Sequence, residues 1–187
     1  MHRTILPVVA CTLALGAAPA LADRDHDHDP FSAKFSGFEE VGGLGAGQTG
    51  AILSGGTATL DLELDRQAQM LDYTLTFSGT NATVTQAHIH FGKRHVGGGI
   101  IVFLCSNLGN GPAGTPACPA EGTVTGTLTA AGVVGPAAQG IAVGNFAGLV
   151  EALDNDTAYG NIHTTTFPAG EIRGQVRHKR GHGHDRD

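Results

Sequence analysis

The sequence predicts an all-β fold: a Greek-key-type β-sandwich or flattened barrel of short antiparallel strands, with disordered termini. Glycine supplies 29 of the 187 residues, which disfavours long helices because each glycine in a helix interior costs about 1 kcal/mol. Segments of alternating apolar and polar residues recur along the chain, separated by breaks rich in Gly, Asn, Asp and Pro. This spacing is typical of sandwiches and barrels. The length suits one such domain with tails.

Eight segments are candidate strands. Thr57–Asp65 alternates apolar with mostly polar residues, and Met70–Phe77 does the same. The other candidates are Phe31–Gly37, Val84–Phe91, Gly99–Leu104, Gly122–Thr129, Thr157–His163 and Glu171–Val176. Residues 136–142 are predicted to form a loop, whereas Asn145–Leu153 is compatible with a strand or with a short helix.

Residues 1–22 have the pattern of a secretory signal. Arg3 supplies a basic start, an apolar run extends from Ile5 to Ala18, and Ala20-Leu21-Ala22 forms a cleavage pattern. The apolar run is too short, and wrongly flanked, for a membrane span. The sequence therefore predicts export to the periplasm or the extracellular space, with the periplasm preferred, and no membrane span after the signal is removed.

The predicted β domain covers residues 31–177 and lies between two His/Asp-rich segments, 23–30 and 178–187. Both segments lack large apolar side chains, so burial cannot offset the entropy lost on ordering, and both are predicted to be disordered. Such tracts collect transition metals loosely. Solvated tails that set solubility are the simpler interpretation.

The cysteines predict a disulfide. Cys11 lies in the signal, which leaves Cys105 and Cys118 as an even pair in an exported chain. Two thiolates that bind a metal are the alternative, but they fit an oxidising compartment poorly.

Four of the ten histidines lie within the predicted domain: His88, His90, His95 and His163. On a strand, His88 and His90 share one face, and Ala87, Ile89 and Phe91 share the other. Because the apolar set must face the core, both imidazoles are predicted to project from the polar outer face.

A third imidazole has the same placement on a second strand. There His163 shares a face with Tyr159 and Asn161, opposite small and aliphatic residues. If the two strands are neighbours, three imidazoles converge, which is enough nitrogen to bind copper or zinc. The alternative is that these histidines are polar-face residues that hydrogen-bond to covering loops. His95, in a loop, is a much weaker candidate for a fourth ligand.

Three stretches resemble the chordin-like, or CHRD, domain: AHIHFG (residues 87–92), GGGIIVFL (97–104) and YGNIHTTTFPAGEIRGQV (159–176). The resemblance extends from about Phe31 to Val176. In animal chordins, such domains occur in an extracellular protein that binds growth factors. HIHFG is also similar to the copper strand of copper–zinc superoxide dismutases. That likeness implies copper ligands at His88, His90 and His163, although a set of residues for the zinc half-site is missing.

The net charge and the motif content of the sequence argue against several classes of function. A formal net charge of −6 argues against a nucleic-acid partner held by a basic field. No Ser/His/Asp set, P-loop or paired-carboxylate cleft stands out, so a non-enzymatic role is favoured. Glu171 and Asn161 are candidates to orient the imidazoles by hydrogen bonding. For Glu171, an exposed ion pair with Arg173 is the alternative.

The leading functional hypothesis is an exported metal-binding module, with copper favoured over zinc. The second is an extracellular interaction domain with a protein or matrix partner and structural histidines. The third is superoxide-dismutase-like redox activity at copper.

Overall fold

The computed structural model of the chain describes residues 28–42 and 50–179. In these residues there are nine strands: β1 (His28–Ser36), β2 (Thr57–Asp65), β3 (Met70–Ser78), β4 (Val84–Phe91), β5 (Gly99–Ser106), β6 (Gly122–Leu128), β7 (Ala158–Thr164), β8 (Ile172–Gln175) and β9 (Arg177–His178). The helical elements there are one α-helix, α1 (Phe146–Asp154), and short 3₁₀ turns at Gly37–Glu39, Ala130–Gly132 and Ala137–Gln139. No helix in the described part of the chain has the length and apolar character needed to cross a membrane.

The strands form one antiparallel sheet in the order β5-β4-β7-β8-β1-β2-β3-β6, and β9 pairs with the edge of β1 left free by the short β8. The two ends of this order, β5 and β6, approach each other, so the sheet is a nearly closed barrel. The prediction of an all-β fold is confirmed. Of particular importance for the site, β4 lies directly between β5 and β7.

The core follows from the alternation visible in the sequence. In β2 and β3 every second residue is buried, including Leu60 and Leu62 on one strand and Leu71 and Leu75 on the other. The hydroxyl of Tyr73 is buried with them and donates to the carbonyl of Leu104 at 2.6 Å. Burial of such side chains contributes about 25 cal/mol per Å² of apolar surface, and it is the main force that closes the barrel.

The outermost strands extend a few residues beyond the predicted bounds of the domain. Strand β1 begins at His28, within the segment predicted to be disordered, because its backbone ladder with β2 continues to the pair His28–Asp65. At the other end β9 reaches His178, whose ring lies 3.9 Å from that of Phe31. Backbone pairing needs no apolar side chain, so composition alone missed these residues. The predicted signal, and residues 23–27 and 180–187 of the two tails, lie outside the described residues.

The ambiguous segment Asn145–Leu153 is a helix. The side chain of Asn145 caps α1 by accepting a hydrogen bond from the Gly148 N–H at 3.0 Å. Phe146, Leu149 and Leu153 are buried at the three- and four-residue spacing of one helix face.

Cys105 and Cys118 form the predicted disulfide, which closes a loop with a sequence separation of 13. We expect the double variant Cys105→Ala/Cys118→Ala to lose at most about 3 kcal/mol of unfolding free energy, because the open loop regains chain entropy in the unfolded state. Denaturant titration measures this loss. Reductant should destabilise the wild type by a similar amount and leave the variant unaffected. Equal stability of variant and wild type would contradict the expectation.

Candidate metal centre

Three imidazoles meet where β4 and β7 pair. His88 and His90 lie on β4, His163 lies on β7, and the register sets His88 opposite Asn161 and Gln86 opposite His163. Each histidine offers one ring nitrogen, and the three nitrogens lie within 4.8 Å of one another. The structure therefore brings together the three histidines that the sequence singled out. We refer to them as the histidine cluster.

The cluster is buried, so the prediction that its imidazoles project from an outer face was wrong. His88 is fully buried, and His90 and His163 are 8% and 6% exposed. Ala87, which precedes His88, and Ile89, which lies between His88 and His90, are buried in the apolar core. Segments around Gly98 and Pro168 cover the histidine side, so β4 is buried on both faces. At each register shift between β4 and β5 the extra residue lies on β5, so the alternation of β4 itself is kept.

Hydrogen bonds to two carbonyls fix which nitrogens carry protons. The Nδ1 atom of His90 lies 3.0 Å from the carbonyl oxygen of Gly98, and Nδ1 of His163 lies 3.0 Å from that of Pro168. Because a carbonyl can only accept, both Nδ1 atoms are the donors. In the neutral rings the Nε2 atoms of His90 and His163 are then the acceptors.

The tautomer of His88 follows from that of His163. The Nε2 atom of His163 lies 3.2 Å from Nδ1 of His88. Since this Nε2 is an acceptor, Nδ1 of His88 is the donor, and Nε2 of His88 also lacks a proton. The neutral cluster therefore presents lone pairs and no spare proton donor.

Two of these lone pairs have no partner. The Nε2 atoms of His88 and His90 are buried and form no hydrogen bond in the structure. A buried polar atom without a partner costs about 1–3 kcal/mol. A metal ion bound to these two nitrogens and to the nearby Nε2 atom of His163 would supply the partners that the two nitrogens lack.

Aromatic rings enclose the cluster. The Phe103 ring meets His88 edge-on with centroids 4.4 Å apart, and Tyr159 stacks on His90 at 4.8 Å and 6°. The guanidinium carbon of Arg173 lies 3.4 Å from the Tyr159 ring centroid, a cation–π contact. These contacts separate the imidazoles from solvent.

Burial keeps the imidazoles neutral. It lowers the pKa of His88 to about 2, and the neighbouring His163 and His90 add to the effect. Burial also lowers the pKa of His90 to about 4, against the raising effect of its hydrogen bond to Gly98. The pKa of His163 is lowered by burial too. At neutral pH all three rings are therefore in the form that ligates metals.

Glu171 and Asn161 bond to groups other than the imidazoles. Glu171 is fully buried, not in an exposed ion pair, and it accepts from the Ser54 hydroxyl at 2.6 Å and from Thr164 and the Asn81 N–H, both at 2.7 Å. The amide of Asn161 donates to Glu40 at 2.5 Å and to the Ile172 carbonyl at 3.3 Å. Sequence reasoning missed Glu40, which is 4% exposed; no local pattern marks it, because its partner is 121 residues away.

The loop between β4 and β5 holds Arg173 but contributes no ligand. Nη2 of Arg173 donates to the carbonyls of Lys93 and Val96 at 3.1 and 2.9 Å, which ties this loop over the cluster. His95 is exposed and lies 3.4 Å from Glu39, outside the histidine cluster. Sequence reasoning also missed the role of Arg173. The register sets Arg173 opposite Asn161, so the two lie on one side of the sheet.

Comparisons with known proteins support the resemblance at the level of the family. A family model described as the CHRD domain matches residues 31–176, which is most of the chain and includes the entire histidine cluster. Neither the curated proteins nor the solved structures gave a match.

Proposed function

This chain belongs to the CHRD-domain family, and from that premise we propose that it is an exported metal-binding module that holds one copper ion, in preference to zinc, through His88, His90 and His163. The observation that carries the proposal is the pair of buried Nε2 atoms without partners, next to a third nitrogen acceptor. Imidazole nitrogen is a ligand common to copper and zinc sites.

The carbonyl partners of the cluster suit this role. Ligating histidines in metal sites donate their other ring nitrogen to a carbonyl or carboxylate, which fixes the tautomer and the orientation of the ring. Gly98 and Pro168 supply such carbonyls to His90 and His163. Nitrogens bound to one ion at about 2 Å lie roughly 3.3 Å apart, and one ring nitrogen of each histidine lies within 4.8 Å of the other two.

Export is the second part of the proposal. It is supported by the signal pattern of residues 1–22, by the disulfide and by the occurrence of CHRD domains in secreted proteins.

Metal analysis of the natively exported chain, purified without a His tag, tests the proposal. We expect one equivalent of copper to remain after dialysis against a mild chelator and to be lost in His88→Gln, since removing a ligand leaves too few nitrogens. His95→Gln is the matched control, because His95 is exposed and outside the cluster. Copper that remains in His88→Gln would place the binding in the His/Asp-rich tails and refute the assignment.

An interaction domain with structural histidines is the second candidate. The bonds from His90 and His163 to the covering segments favour it, because those bonds hold the loops without any metal. Under this alternative, His88→Gln would lower the melting temperature, and added copper would leave the wild-type melting temperature unchanged. Superoxide-dismutase-like activity requires an open approach from solvent to the metal, and the burial of the Nε2 atoms favours binding over turnover.

A further inference from the structure

We propose that the ion held by the histidine cluster is monovalent copper, Cu(I), rather than a divalent ion. This inference rests on the proposed function and adds the charge and coordination number of the ion. Two features of the cluster support it: the neutrality of its ligands, and the absence of a fourth His, Cys, Asp or Glu ligand beside them in the described residues.

The ligand set has no negative charge. Across residues 28–42 and 50–179, the group of metal-ligating side chains around the cluster consists of the three histidines alone. The two nearby buried carboxylates are otherwise engaged. Glu171 binds the side chains of Ser54 and Thr164, and Glu40 binds Asn161 and the N–H groups of Val41 and Gly42.

The charged groups that flank the cluster do not supply the negative charge that the ligands lack. The buried Arg173 brings a positive charge to the Tyr159 side, next to His90. Glu40 brings a negative charge through Asn161, so the two fields oppose each other. An ion in the cluster would keep its full charge in a dehydrated site. The cost of burying a charge rises with its square, so a divalent ion is disfavoured roughly four times as strongly as a monovalent one.

The number of ligands that the cluster offers also favours Cu(I). Zinc and divalent copper take a fourth ligand, commonly water, beside three imidazoles. Here Phe103 and Tyr159 occupy two sides of the cluster, and the Tyr159 hydroxyl already accepts from the Gly98 N–H at 3.0 Å. Cu(I) carries a single positive charge and forms stable two- and three-coordinate complexes, so three nitrogens satisfy it.

The chain offers divalent ions a different place to bind. Both His/Asp-rich tails combine imidazoles with carboxylates in the sequence, and mixed oxygen and nitrogen donors in water suit divalent ions. The test must therefore separate binding at the cluster from binding at the tails, and it uses the chain with both tails.

Competition titrations under anaerobic conditions make this separation. The natively exported chain, His163→Gln and His95→Gln are each titrated with Cu(I), kept reduced by ascorbate, against a chromophoric Cu(I) chelator. Parallel titrations use Cu(II) and Zn(II) with their own indicators, and a thiol assay verifies that Cys105 and Cys118 stay paired. We expect one equivalent of Cu(I) in the wild type, weakened more than about 100-fold in His163→Gln because even supporting residues of metal sites are worth 10–100-fold. His95→Gln should match the wild type.

The titrations with Cu(II) and Zn(II) distinguish failure of the Cu(I) assignment from failure of the proposed metal-binding function. Cu(II) and Zn(II) affinities that do not respond to His163→Gln support the proposal, since those ions then bind elsewhere. Zinc or Cu(II) that binds at least as tightly as Cu(I), and is lost in His163→Gln, would overturn the Cu(I) assignment and leave the proposed metal-binding function intact. If none of the three ions depends on His163, both proposals fail.

X-ray absorption of the copper-loaded wild type reports the oxidation state and the coordination number of the bound copper. It needs no variant, so it tests the proposal even if His163→Gln fails to fold. A Cu(I) edge with three nitrogen neighbours at about 2 Å supports the proposal. An edge of divalent copper, or a shell of four or more ligands, contradicts it.

Discussion

Lowering the pH of the metal-free protein from 7 to 5 should reduce its free energy of unfolding by about 4 kcal/mol. Burial lowers the pKa of His88 to about 2 and that of His90 to about 4, whereas both pKa values are about 6.5 in the unfolded chain. Between pH 6.5 and 4 the unfolded chain therefore binds two protons that the folded chain does not. Stability is fully present above pH 6.5 and is lost as the pH falls towards the folded pKa values.

Each of these two histidines contributes about 1.4 kcal/mol per pH unit well below pH 6.5. His163, whose pKa is also lowered by burial, adds to the loss. Denaturant titrations in the presence of a chelator at pH 7, 6 and 5 measure the effect. His90→Gln should give a shallower slope than the wild type. A flat profile between pH 7 and 5 would show that the imidazoles are not buried as neutral groups.

Replacing Glu171 with Ala should destabilise the protein by about 4 kcal/mol. The carboxylate accepts hydrogen bonds from Ser54, Asn81 and Thr164, which lie on three separate segments of the chain. Its removal leaves three donors without their acceptor, and one of them, the hydroxyl of Thr164, is on a fully buried residue. Thermal and denaturant unfolding measure the loss.

Glu171→Gln is the matched variant for this prediction, because it keeps the shape and one acceptor oxygen and should therefore lose about half as much stability. We expect copper affinity in Glu171→Gln to stay within about tenfold of the wild type, because the hydrogen bonds of Glu171 do not reach an imidazole. A loss of copper affinity as large as that in His163→Gln would mean that Glu171 positions the ligands directly.

The strands could be predicted from the sequence because the signal is local. In β2 and β3 the period of two sets which side chains are buried, and the ladder between them pairs Leu60 with Leu75 and Leu62 with Tyr73. The family resemblance had the same local origin, in short motifs around His88 and His163, and the family model matches over 31–176. Helix α1 was ambiguous because its Asn145 cap and its buried spacing occupy only about ten residues.

Membership of the histidine cluster could also be predicted, because it requires only that two strands with imidazoles be neighbours. The burial of the cluster could not. It depends on the segments that carry Gly98 and Pro168, which fold over β4 and β7 and whose carbonyls meet His90 and His163. Alternation along one strand distinguishes its two faces, but it does not reveal whether a loop will cover the polar one.

Residue type and local spacing were enough to predict the β class, the disulfide pair and, given that their strands are neighbours, the three histidines of the cluster. The burial of the imidazoles and the lowering of their pKa values, the bonding of Glu171 and Asn161 to other groups, and the positions of Arg173 and Glu40 beside the cluster follow only from the folded barrel. These properties depend on contacts between residues far apart in the chain, such as His88 with His163 at a separation of 75 and Asn161 with Glu40 at 121. Contacts of that range exist only once the barrel has closed and its loops have covered β4.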